Sequence, residues 1–65
     1  MTTIYDFCIG DGTAVVVTAT KTRYQVWKPC KDGGHVKVYS DRRYHRAVSH
    51  GRTLRDTVAL ERGRA

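Results

Sequence analysis

Up to Tyr39 the chain mostly alternates apolar and polar residues every second position; beyond it the apolar residues recur three and four apart. The first part divides into four runs. Thr3–Ile9 sets Tyr5, Phe7 and Ile9 on one face and Asp6 on the other, the pattern of a half-buried strand. Gly10-Asp11-Gly12 is a strong turn signal, and Ala14–Thr20 follows as a β-branched run, apolar enough on both sides to be an inner strand. Thr22–Lys28 alternates again, with Tyr24 and Val26 pointing one way and Arg23, Gln25 and Trp27 the other. Pro29–Gly34, with its proline and Gly-Gly pair, predicts a hairpin loop. His35–Tyr39 is the last strand, with Val36 and Val38 expected inward and His35, Lys37 and Tyr39 outward.

Ser40 and Asp41 are good N-cap residues for a helix over about 41–62, and Gly63 supplies its stop. Tyr44, Ala47, Val48, Gly51, Leu54, Val58 and Ala59 fall within an arc of roughly 140° at 100° per residue, a normal core-facing stripe. Gly51 interrupts the stripe, and Thr53-Leu-Arg-Asp56 has the form of a capping box. The segment is therefore either one helix with a weak point or two short helices broken near Gly51. The order β-β-β-β-α predicts an α+β fold: a small antiparallel meander of three or four strands with a C-terminal helix packed on one face. A chain of 65 residues supports one domain, 1–65, with strands within 3–39. So small a core makes marginal stability, a homodimer or a bound partner an expectation.

Charge adds direction to this picture. Twelve Lys and Arg against six Asp and Glu give a net charge of +6. Residues 1–20 hold no Lys or Arg, only Asp6 and Asp11, so every cation begins at Lys21 or later. This balance favours anionic partners and excludes an acidic nucleic-acid mimic. The longest purely apolar run, Ala14–Val17, is too short for a membrane span or a signal-peptide core, and the Met-Thr-Thr-Ile start carries no basic residue. A cytoplasmic protein without membrane contact is expected, with Cys8 and Cys30 as reduced thiols rather than a bridge.

The paired strands on either side of the Pro29–Gly34 loop would set Arg23, Gln25 and Trp27 beside His35, Lys37 and Tyr39. Lys and Arg neutralise phosphates, Gln and Arg reach base edges, and Trp and Tyr offer stacking planes. Lys28 and Lys31 would extend this patch along the loop, and Arg42, Arg43 and Arg46 would lie on the helix side away from the apolar stripe. A register slip of one residue would instead bury Trp27 in the core.

His35–Tyr39, a following helix and Gly51-Arg-Thr-Leu-Arg-Asp56 together resemble the ribbon–helix–helix DNA-binding family, over less than half the chain. That resemblance implies two helices, the second opened by Gly51. Cys30, His35, His45 and His50 have the spacing C-x4-H-x9-H-x4-H, but His45 and His50 would point roughly 140° apart on a helix, which favours surface histidines over a zinc site. No catalytic constellation can be assembled, so no enzyme, cofactor or metal is expected. The leading reading is a small basic protein, of regulatory or mobile-element type, that binds DNA or RNA through the sheet face and basic loop and helix positions. The alternative is a phage-type inhibitor or adaptor, anti-CRISPR-like in role, that docks on an acidic protein surface of a host complex.

Overall fold

The computed structural model describes residues 2–63. Four strands, β1 (Thr2–Cys8), β2 (Ala14–Ala19), β3 (Tyr24–Pro29) and β4 (His35–Asp41), form one antiparallel sheet in sequence order, and α1 (Tyr44–Glu61) packs across one face. This is the α+β meander with a C-terminal helix that the alternation predicts. The sequence-predicted strands match in order and in place. No described helix is long and apolar enough to cross a membrane.

Val15, Val17 and Val26, all fully buried, are the centre of the helix-facing side, and they meet Ala47, Val58 and Ala59 of α1. Their alternation in β2 and β3 places all three on one side, and the helical stripe supplies small residues to cover them. Phe7, Tyr24, Tyr39 and Leu54 close the margins.

Gly51 lies in the middle of a single unbroken helix, so neither a break nor the two-helix arrangement of ribbon–helix–helix proteins is present. Its missing side chain serves packing. A methyl group there would sit 2.8 Å from Val17 Cγ2 and 3.2 Å from Phe7 Cε2, so glycine is what lets the helix approach the sheet this closely. Thr53 and Asp56 cap nothing: Thr57 Oγ1 donates to the Thr53 carbonyl at 3.0 Å, and Asp56 pairs with Arg55 at 2.7 Å.

The helix starts later than expected. Ser40 and Asp41 belong to β4, paired with Gln25 and Tyr24, and the N-cap position falls to Arg43, which makes no side-chain cap. Asp41 Oδ1 instead accepts the Arg43 N–H at 2.8 Å and shapes the turn into α1. At the other end Gly63, at φ 71°, stops the helix as predicted. Arg62 Nη1 reaches Asp11 Oδ2 and Thr13 Oγ1, each at 2.7 Å, while Nη2 donates to the Pro29 carbonyl at 3.3 Å. One guanidinium thus ties the end of α1 to the β1–β2 turn and to the end of β3.

Both edge strands carry a bulge, after Thr3 in β1 and at Val38 in β4. Bulges twist an edge out of line for pairing with another chain. The one in β4 also changes what the face of the sheet displays. Val26 pairs with Tyr39 but Trp27 pairs with Lys37, so Val38 is the extra residue and Tyr39 is turned to the helix side. There its ring stacks on His50, with centroids 4.0 Å apart and planes 7° from parallel. The expected outward position of Tyr39 is therefore corrected. Val36 and Val38 border the groove beside Val58 on the helix side as expected, but α1 does not cover them, and they stay 52% and 44% exposed.

Candidate nucleic-acid interface

Among the described residues no element covers the sheet face opposite α1. Pairing fixes what it presents: Asp6 beside Val16, Val16 beside Trp27, Trp27 beside Lys37, and Thr18 beside Gln25, which in turn pairs with Ser40. Trp27 is on this face and not in the core, because its neighbour Val26 takes the fully buried position toward the helix.

A chain of polar bonds holds the indole in place. Trp27 Nε1 donates to Thr18 Oγ1 at 2.9 Å, and the Thr18 hydroxyl donates to Gln25 Oε1 at 3.4 Å. Thr18 is only 4% exposed: Thr3 and Gln25 flank it in the neighbouring strands, and the indole is bonded to its hydroxyl. The indole thus reaches diagonally to the neighbouring strand instead of standing off the surface. Beside it lies a shallow depression of about 360 Å³ lined by Thr3, Val16, Thr18, Trp27 and His35, touching all four strands. His35 closes one rim, its Nε2 donating to the Ala14 carbonyl at 3.2 Å.

Topology gathers cations that the sequence keeps apart. Tyr24 pairs with both Ala19 and Asp41, so the β2–β3 turn and the β4–α1 connection lie at the same end of the sheet. Lys21 and Arg23 of the first join Arg42 and Arg43 of the second and Arg46 in the first turn of α1, all five exposed. The one acid among them, Asp41, is already engaged. Its carboxyl is held below the usual carboxylate range by the Arg43 backbone N–H and then by the Tyr39 hydroxyl, 2.7 Å from Oδ2. The same bond keeps the Tyr39 phenol protonated beyond its ordinary range. At the opposite end, among the described residues, Lys28, Lys31 and Arg62 stand with Asp11, Asp32 and Glu61, equal numbers of each sign. The two ion pairs among the described residues, Arg62–Asp11 and Arg55–Asp56, both lie away from the cationic end.

Of the sequence-predicted residues, then, Gln25, Trp27 and Lys37 share the uncovered face, with Arg23 in the turn that continues it. Arg42, Arg43 and Arg46 join them through the cationic end, although Arg42 and Arg43 precede the helix. Lys28 and Lys31 do not extend the patch. They line a groove on the helix side with Val36, Val58 and Glu61. Two contributors were missed, Thr18 and Lys21. Thr18 is the one hydroxyl in the Val15–Ala19 run, a signal that something polar lies against it; Lys21 carries no local signal, since only the folded topology brings it to Arg42.

Both cysteines are free thiols, Cys8 exposed and Cys30 half-buried. Among the described residues no three His, Cys, Asp or Glu side chains converge as metal ligands. No protein-family model, curated protein or solved structure matches this chain.

Proposed function

We propose that this is a small, non-enzymatic nucleic-acid-binding protein of the cytoplasm, which takes DNA or RNA on the uncovered sheet face and holds its phosphates at the cationic end. The observation that carries this reading is the grouping of Trp27, Gln25 and Lys37 on one uncovered face, leading to an end where five exposed cations meet a single, already bonded carboxylate. A stacking plane, an amide and point charges in that order serve bases first and backbone second.

The test is an anisotropy titration of labelled oligonucleotides at about 50 mM and about 200 mM salt. Tight binding at the lower concentration is expected, weakening on the order of a hundredfold at the higher if five phosphates are neutralised. Trp27→Ala with Lys37→Ala should remove most of the affinity. Absence of binding to any oligonucleotide at the lower salt would end the proposal. Capture of partners from a lysate with and without nuclease then separates it from an adaptor on an acidic protein, whose partners survive nuclease.

A further inference from the structure

We infer that the nucleic acid this face takes is single-stranded, with one base stacked on Trp27 and a neighbour seated in the depression beside it. This rests on the nucleic-acid reading above and sharpens it. Three observations point the same way.

The first is width. The major groove of a DNA duplex, about 12 Å across, admits a helix or a two-stranded ribbon. Trp27 sits on β3, an inner strand with β4 to one side and β2 and β1 to the other. At ~4.8 Å between strands the backbone alone spans about 14 Å, wider than the undistorted groove, so the face does not fit it as a two-stranded ribbon does.

The second is the indole itself. Its N–H is spent on Thr18, so it has no donor left to read a base edge. That bond lays the ring along the sheet rather than leaving it upright as a wedge to intercalate. What it offers is a π-face, and only an unpaired, unstacked base can lie on it.

The third is the setting. The depression next to Trp27 is mostly apolar, made by Val16 and the Thr3 and Thr18 side chains with His35 at its rim. It suits a second flat, weakly polar ring. Lys37 flanks Trp27 directly, and the cationic end completes a path for the phosphates of a flexible strand. With Tyr39 turned under the sheet by the bulge, this is a short platform with one aromatic, fitted to few nucleotides.

The experiment compares oligonucleotides of roughly 12 nucleotides, as single strands and as the annealed duplex, in DNA and RNA, with the intact protein. Trp27 is the only tryptophan, so its emission reports on the site directly. Single strands are expected to bind at least tenfold tighter than the duplex and to quench that emission on saturation. Trp27→Ala should lose roughly tenfold to a hundredfold for single strands and little for duplex, while Trp27→Phe, which keeps a π-face without the N–H, retains most of the preference. Should Trp27→Ala fail to fold by circular dichroism, the wild-type emission and the phenylalanine variant still decide. Equal or tighter duplex binding, or unchanged emission on single-strand saturation, overturns this inference and leaves nucleic-acid binding standing. No binding to either form overturns both.

Discussion

The two faces of the sheet are built from opposite materials. The side under α1 holds Val15, Val17 and Val26, all fully buried, and is closed by contact so tight that Gly51 has no room for a methyl group. The other side carries Trp27, Thr18 and Gln25, linked by directional bonds and covered by no element among the described residues. A domain this small has only one core, so its largest side chain would be expected there. Placing the indole outside, anchored by its N–H, means that the core is made of small parts and that the open face keeps a preformed aromatic surface.

The largest effect should come from disturbing the tight side. Gly51→Leu would drive a side chain into fully buried Val17 and into the Phe7 ring, already 2.8 Å and 3.2 Å from where a methyl group would sit. Overpacking costs typically ~1–3 kcal/mol, and at so close a contact the upper end applies, most of what a core of this size supplies. Urea unfolding followed by far-ultraviolet circular dichroism should show little or no folded baseline for this variant. Gly51→Ala should be milder, by about 1 kcal/mol, because alanine recovers some helix propensity. A Gly51→Leu protein as stable as wild type would break the contrast between the faces.

The second effect separates the two ends of the molecule. Arg42→Gln with Arg43→Gln should weaken nucleic-acid binding about tenfold at about 50 mM salt and lower the slope of affinity against salt by roughly 1.5. Lys28→Gln with Lys31→Gln, the same change in charge at the balanced end, should leave the slope near its wild-type value. Equal losses from the two pairs would mean that affinity follows net charge alone, and the end-to-end contrast would fall.

Most of the fold was legible because alternation and helical spacing report burial directly. The strand order, the helical stripe through Ala47, Gly51 and Val58, and the outward direction of Gln25, Trp27 and Lys37 all follow from periods of two and 3.6. Tyr39 was misplaced because a bulge between two apolar residues leaves no mark on alternation: Val38 and Tyr39 read equally well in either register. Lys28 was misassigned by adjacency in sequence, although its position next to Trp27 in a strand puts it on the other face. The grouping of Lys21 and Arg23 with Arg42 and Arg43 was hidden for another reason. It depends on which turns share an end of the sheet, a property of topology rather than of any local segment.

A smaller effect tests the bonded face. Thr18→Val keeps the shape but removes the hydroxyl between Trp27 and Gln25. The Trp27 N–H then loses its partner at a shielded site, a cost of about 1 kcal/mol in unfolding experiments. The freed indole should also bind single strands several-fold more weakly, because its orientation is no longer fixed before binding. Stability lost with affinity unchanged would show that the bond supports the sheet and does not position the ring.

The smallest effect concerns the balanced end, and it appears only in acid. The Asp11 carboxyl is held well below the ordinary carboxylate range, first by the Thr13 hydroxyl and then by the Arg62 guanidinium. A group whose pKa is lower in the folded state binds protons more readily when unfolded, so its contribution is complete at neutral pH. That contribution is lost as the pH falls through and below the unfolded value near 4. Asp11→Asn removes it at every pH. Thermal melts of the two proteins should therefore differ most at neutral pH, wild type melting higher, and converge on acidification. Asp41, also lowered, is present in both and cancels from the difference. Convergence would assign the charges of this end to tying α1 to the β1–β2 turn and the end of β3, leaving the opposite end as the one whose cations are free for a ligand. A gap that stays constant down to low pH would mean that Asp11 acts through the shape of its turn, where its side chain also accepts the Thr13 backbone N–H at 3.0 Å, and not through its charge.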